Sequence, residues 1–128
     1  MSDERRRGAI LFAHGSRDPQ WKEPFIALER RIGAALPGVT VKAAYLEGCR
    51  PNIHDVADAM AADGIATITV TPMFLAVGAH SRNDFPNIAA KLAAAHPGVV
   101  FTWTDVLGEW DETLTALSTV VAGKLADG

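Results

Sequence analysis

Two hydrophobic periods alternate along the chain. Four short runs, 8–13 (GAILFA), 39–46 (VTVKAAYL), 66–75 (ATITVTPMFL) and 99–106 (VVFTWTDV), are apolar or β-branched and predict strands. The first and third are the most strongly apolar or β-branched, as in strands covered on both faces. Between and after them the spacing changes to three and four residues. Phe25, Leu28, Ile32 and Leu36 form one stripe, and Ile53, Val56, Ala57, Met60 and Ala61 a second. Phe85, Ile88 and Leu92 form a third, and Trp110, Leu114, Leu117, Val121 and Leu125 a fourth. Each predicts an amphipathic helix.

The punctuation agrees with this division. Asn52 is placed to cap the second helix and Gly64 to close it. The first and third helices run into Pro37-Gly38 and Pro97-Gly98, each followed by a valine-led strand. Pro24 excludes a helix interior at that point, so the first helix is predicted from about Glu23, with 15–22 as a loop. Four strand-helix units in alternation predict an α/β fold of three layers, a four-stranded parallel sheet flanked by helices on both faces.

At 128 residues this is one domain, expected over 8–126 behind a flexible tail at 1–7 that carries Arg5, Arg6 and Arg7. A formal charge of −3 leaves no electrostatic footprint for nucleic acid. The single cysteine, Cys49, excludes an internal disulfide and a cysteine-based zinc site, and suits a reducing compartment. No apolar run approaches the ~20 residues of a membrane span, and none at the N-terminus has signal-peptide form. A soluble cytoplasmic protein without a membrane partner is expected.

The candidate chemistry lies where the strands end. The run Ile10-Leu11-Phe12-Ala13 gives way within one residue to His14-Gly15-Ser16-Arg17-Asp18-Pro19. "HSRNDFP" (80–86) echoes "HGSRDP" (14–19), each following a strand and leading to a helix that ends in Pro-Gly-Val. Glu47 follows the second strand, 33 residues after His14 and 33 before His80. Ligands of such sheets gather outside the carboxyl ends of the strands, and this spacing brings His14, Glu47 and His80 to one edge. Two imidazoles and a carboxylate with open positions suit a divalent ion such as Fe, Co, Ni or Zn. Arg17 and Arg82 on the same rim, with helix N-termini, favour an anionic partner.

"LFAHGSRDP", "AYLEGCRPNI" and "TPMFLAVGAHSRNDFP" resemble the motifs of the class II tetrapyrrole chelatases, and most closely the small sirohydrochlorin cobaltochelatases and ferrochelatases. The likeness runs from about residue 8 to residue 100. It implies a chelatase-like domain in which His14, Glu47 and His80 bind metal and act in catalysis. Substrate binding is expected of Gly15, Ser16 and Arg17 in the first block, and of Phe74, Leu75, Gly78, Ser81 and Arg82 in the third. One departure is Gly78-Ala79-His80-Ser81, where many relatives have Gly-Gly-His and a hydrophobic residue.

The implied reaction is insertion of a divalent metal, Co²⁺ ahead of Fe²⁺ or Ni²⁺, into sirohydrochlorin, with the metal as a substrate and no organic cofactor. Neutral imidazole, with a reference pKa of ~6.5, can hold the ion and accept a pyrrole proton near neutral pH. The substrate's peripheral carboxylates would meet Arg17 and Arg82, and its flat face an apolar wall at Met73, Phe74 and Leu75. Longer relatives pair two such modules, so a homodimer enclosing the macrocycle is expected. Two other readings fit the residues: a metal or tetrapyrrole carrier without turnover, and a histidine-dependent phosphate enzyme using His14. The plainer readings are a strand-end histidine bonded to a backbone carbonyl and arginines paired with Asp18 and Asp84. His54 and His96 are assigned no catalytic role, and Trp103 and Trp110 read as core or interface residues.

Overall fold

A computed structural model describes residues 6–126, with His80 described by its backbone alone. The strands are β1 (Arg7–Ala13), β2 (Val39–Tyr45), β3 (Thr67–Pro72) and β4 (Val100–Trp103). The helices are α1 (Glu23–Ala35), α2 (Ile53–Ala62), α3 (Ala79–Ala95) and α4 (Asp111–Ala126), with 3-10 turns at Pro19–Lys22 and Leu107–Glu109. All strands are parallel in the order β2-β1-β3-β4, as the alternation of elements requires.

Strand register sorts the side chains into two cores. Ile10 pairs with Val70 and Gly8 with Ile68, so these β3 residues share a face with Ile10 and Phe12. That face packs under α2 and α3 through Ile53, Val56, Ala57, Met60 and Leu92, with Phe85, Ile88 and Trp103 at its border. Phe12 meets Phe85 at 5.7 Å and Trp103 edge-on at 5.9 Å between ring centroids. On the opposite face Leu11, Ala13, Val41, Ala43 and Tyr45 pack against Phe25, Leu28 and Ile32 of α1. Glu29 of α1 also serves the edge strand, its carboxylate accepting the Ala43 amide at 2.7 Å. Without that bond an edge-strand N–H would lack a partner in a half-buried setting.

Local signals hold at the helix ends. Asn52 caps α2, its side-chain oxygen accepting the Asp55 amide at 2.9 Å, and Gly64 follows the C-cap. Pro24 sits in the first turn of α1, where no amide hydrogen is needed. The loop predicted at 15–22 contains the Pro19–Lys22 turn, capped by Asp18.

Several expected boundaries move. The third strand stops at Pro72 rather than Leu75, because its last ladder bond is Met73 N–H to Phe12 at 2.7 Å. The fourth stops at Trp103 rather than Val106, since Thr104 N–H to Val70 closes its ladder and Val106 opens a turn. The tail expected at 1–7 is shorter at its inner end. Arg7 pairs with Val39 and Thr67, and Arg6 bonds the Asp63 and Ala66 backbone. Residues 1–5 lie outside the described residues.

The largest departure is α4. Its apolar stripe was expected to join the flanking layers, yet every residue from Leu114 to Ala126 is exposed. The sheet is therefore covered on one face by α2 and α3, and on the other by α1 over β1 and β2. No described helix is long and apolar enough to cross a membrane.

Candidate functional site

The sheet order sets β1 between β2 and β3, so the segments after these three strands leave the same edge side by side. His14 follows β1 directly, and Glu47 lies two residues beyond β2. Pairing continues past the strand ends: Leu46 N–H donates to Ala13 at 2.9 Å and Glu47 N–H to His14 at 3.0 Å. The histidine and the glutamate are held by their own backbones as neighbours.

Two glycines permit that approach. Gly15 has φ +97, and a Cβ on it would lie 1.7 Å from the Glu47 carbonyl oxygen. Gly48 has φ +82, and its Cβ would press on the Ser16 backbone at 3.0 to 3.1 Å. His14 and Glu47 are thus each followed by a glycine that lets the other loop close on it. Gly48 was not anticipated. Its signal is the Glu47-Gly48 step, which mirrors His14-Gly15 one strand away.

The side chains meet in a half-solvated setting. His14 Nε2 lies 3.7 Å from Glu47 Oε2, with the side chains 51% and 68% exposed. This separation is too long for a hydrogen bond. His14 Nδ1 is 3.2 Å from the Gly15 carbonyl. A proton on Nδ1 donates there and leaves the Nε2 lone pair toward Glu47. Two acceptors then face each other, an arrangement that a cation between them relieves. Zinc-type bonds of ~2.0–2.2 Å at a tetrahedral angle span roughly 3.4 Å between donor atoms, close to the observed gap.

Gly15, Ser16, Arg17, Glu47 and Gly48 line a polar cavity of about 340 Å³. Its wall is fixed from within: Ser16 Oγ accepts the Asp18 amide at 3.1 Å, and Asp18 accepts the Gln20 amide at 2.9 Å. Arg17 is therefore presented beside Glu47, with the Asp18 carboxylate engaged in capping the turn. Beneath this loop Tyr45 is buried, stacked edge-on to Trp21 at 5.9 Å and Phe25 at 6.3 Å, with Lys22 Nζ 5.6 Å above its ring. Burial first, then the nearby Cys49 and Glu29, pushes its phenol up to about 12. Its hydroxyl has no hydrogen-bond partner among the described residues. Cys49 is partly buried against this core.

The third block is arranged differently from expectation. The run 80–86 was expected ahead of the third helix, with His80 just past the end of the third strand, but α3 already starts at Ala79 with Gly78 as its N-cap, so His80 belongs to the first helical turn. Pro86 is then inside α3, where it has no N–H to offer the Arg82 carbonyl and its ring crowds that oxygen. Among the described residues no three His, Cys, Asp or Glu side chains gather as a metal site. Arg82 does not line the cavity with Arg17. It lines a separate cleft of about 400 Å³ with Pro72, Phe85, Trp103 and Asp105, and donates to the Val77 carbonyl at 3.3 Å.

The apolar wall is only partly as expected. Met73 turns into the α1-side core, because the residue after Pro72 alternates to that face. Phe74 stacks on Phe85 at 5.7 Å, Leu75 is exposed, and Ser81 is half-buried. The 73–78 loop is tied to the turn before α4 by Gly108 N–H to Phe74 at 3.0 Å. Outside the site, His96 pairs with Asp58 at 2.8 Å, joining the end of α3 to α2. Trp103 is a core residue whose indole N–H has no partner among the described residues.

The sequence profile of the CbiX family matches residues 8–122, nearly the whole of this fold. The chain belongs to the CbiX family. A CbiX protein from Marinobacter aquaeolei VT8, named for cobalamin (vitamin B12) biosynthesis, superposes with a TM-score of 0.86 at 30% identity, covering 95% of this chain and 99% of that one. The sirohydrochlorin chelatase SirB from Bacillus subtilis subspecies spizizenii, solved in complex with cobalt, shares the fold at a TM-score of 0.79 and 22% identity. That match covers 92% of this chain and 50% of SirB. A sirohydrochlorin cobaltochelatase from Methanothermobacter thermautotrophicus is 39% identical over 63% of this chain and 56% of its own length. The CbiX chain thus spans about half the length of these two longer relatives.

Proposed function

We propose that this CbiX protein is a chelatase that inserts a divalent metal, Co²⁺ ahead of Fe²⁺ or Ni²⁺, into sirohydrochlorin. The observation that carries this reading is the His14–Glu47 pair, two acceptors 3.7 Å apart at one sheet edge and open to solvent. Relatives named sirohydrochlorin cobaltochelatase, and a chelatase of the same fold solved with cobalt, support the substrate class.

In this scheme His14 Nε2 and Glu47 hold the incoming ion, and His80, from the first turn of α3, completes the set. Insertion requires two pyrrole N–H protons to leave, and an imidazole or carboxylate released by the metal can accept one. Arg17 meets a peripheral carboxylate of the macrocycle, as a guanidinium pairs with carboxylates in fork geometry. The exposed Leu75 and the Phe74 face offer apolar contact. The match covers 50% of SirB, and in this scheme a homodimer supplies the second wall of the macrocycle site.

The test is anaerobic incubation of the protein with sirohydrochlorin and each ion, followed by absorbance. Many metallated products per chain support a chelatase, and a single stoichiometric complex would mark a carrier instead. His14→Ala, Glu47→Ala and His80→Ala should each lose most of the insertion rate with the fold intact, and non-additively, because groups acting as one unit do not contribute independently. Full turnover by His80→Ala with both Co²⁺ and Fe²⁺ would remove His80 from the site.

A further inference from the structure

The cleft of about 400 Å³ beside α3 shares no lining residue with the cavity at Glu47. Its floor is apolar and already packed. Phe85 and Trp103 line it, 5.8 Å apart between ring centroids, and Phe12 backs both from the core. Both rings are only partly buried, so each keeps surface for an occupant.

The walls are fixed before any ligand arrives. Val77 comes from the loop after β3 and Val106 from the segment before α4, and both line the cleft. These two segments are in backbone contact. Gly108 N–H donates to the Phe74 carbonyl at 3.0 Å, and a Cβ on Gly108 would lie 1.7 Å from the Leu75 carbonyl oxygen.

The charges in the cleft are of both signs. Arg82 of α3 lines it, held by its 3.3 Å donation to the Val77 carbonyl. Asp105 and Glu109, ahead of α4, line it as well. Among the described residues Arg82 forms no ion pair with either carboxylate. A cation on one element and two carboxylates on another thus share one space without neutralising each other. The macrocycle does not suit this place, because its peripheral carboxylates would meet Asp105 and Glu109. The volume of about 400 Å³ is near the lower end of the ~300–1,000 Å³ of small-molecule sites.

We propose that this cleft binds a small zwitterion with an apolar body, a free amino acid with an aromatic or branched side chain. Arg82 takes the carboxylate as a guanidinium fork, and Asp105 or Glu109 takes the ammonium. The apolar side chain lies on the Phe85–Trp103 floor, where an aromatic ring also finds tilted or offset ring contacts. Binding here goes beyond metal insertion and requires neither the metal nor the macrocycle.

The experiment is an NMR titration of the full ¹⁵N-labelled chain with phenylalanine. Two analogues form the other arms: phenethylamine lacks the carboxylate, and hydrocinnamate lacks the ammonium. A ligand of about a dozen heavy atoms at ordinary efficiency has a Kd on the order of 1 mM. Saturable shifts are expected at the Trp103 indole N–H and at the Arg82 and Val106 amides. Each analogue should bind about tenfold or more weakly than phenylalanine, having lost one charged contact. Arg82→Gln and the double variant Asp105→Asn/Glu109→Gln should each weaken phenylalanine by a similar factor. All three side chains are exposed, so these variants keep the fold. Absence of saturable shifts overturns the proposal. So does an analogue that binds as tightly as phenylalanine, or a charge variant that keeps wild-type affinity. Because no metal or macrocycle is present in the titration, failure here is separate from failure of the chelatase reading.

Discussion

Gly15→Ala tests whether the site depends on the closeness of two loops. The added Cβ would sit 1.7 Å from the Glu47 carbonyl oxygen, where ordinary contact begins at 3.4 Å, so the loops must part by about 1.7 Å. That movement breaks the 3.0 Å bond from Glu47 N–H to His14 and widens the 3.7 Å gap between Nε2 and Oε2. A catalytic misplacement of about 1 Å can cost ~100-fold in rate. The insertion rate should therefore fall at least ~100-fold. Stability should fall too, by about 1–2 kcal/mol for a side chain at positive φ and ~1 kcal/mol for the lost bond.

Gly38→Ala separates the two effects. Gly38 has φ +91, similar to the +97 of Gly15, but a Cβ there meets nothing within 4 Å. It should show the ~1–2 kcal/mol strain in a urea titration with an unchanged rate of metal insertion into sirohydrochlorin, measured by absorbance. If Gly15→Ala matches Gly38→Ala in both measurements, the loop contact does not organise the site.

Tyr45→Phe should be neutral or stabilising by about 1 kcal/mol at pH 7, because it deletes a buried hydroxyl with no partner. Burial pushes its phenol up to about 12 from an ordinary 10.0, so wild-type stability should be whole below pH 10 and fall between pH 10 and 12. That loss is on the order of 2–3 kcal/mol, and Tyr45→Phe should lack it in urea titrations across the range; an identical alkaline step would assign it to another group. Arg17→Ala should weaken sirohydrochlorin binding about tenfold or more with metal binding unchanged, read by fluorescence quenching. Arg82→Ala should weaken it less, since Arg82 lines the other cleft; the reverse order would move the anion site to α3.

The sheet was legible because buried strands show in composition. Ile10 to Ala13 have no polar member, and a segment between two neighbours in a parallel sheet can have few. Strand ends were less legible. Phe74 and Leu75 are as apolar as the strand before them, and only the reach of the β1 ladder stops β3 at Pro72. The start of α3 was hidden for a different reason. A first turn reading Ala-His-Ser-Arg is polar, and Pro86 further along argues for a later start, since an interior proline loses a ladder bond and crowds the carbonyl four residues back; α3 nevertheless runs through it. The fourth stripe was read correctly as a helix and wrongly as a layer of this sheet. Periodicity says that a face seeks burial and is silent on what covers it. Gly48 escaped notice because its constraint is tertiary: the Glu47-Gly48 step hints at a second His14-Gly15, but that Ser16 passes 3.0 Å away is set by the fold.

A site meant to keep its metal and one meant to hand it on should differ in how the ligands are supported. Retained metals have histidines whose second nitrogen is held by a carboxylate, a backbone carbonyl or a water, under a shell that limits solvent access. His14 has only its neighbour's carbonyl at 3.2 Å, and it and Glu47 are more than half exposed. Such ligands are placed by their backbones, through the 3.0 Å Glu47–His14 bond and the two glycines, rather than by side-chain partners. That leaves the rotamers free to follow an ion outward while the loops stay fixed. For the proposed insertion this is the useful combination: donor atoms gathered closely enough to strip water from a cation, yet held loosely enough for four pyrrole nitrogens to take it.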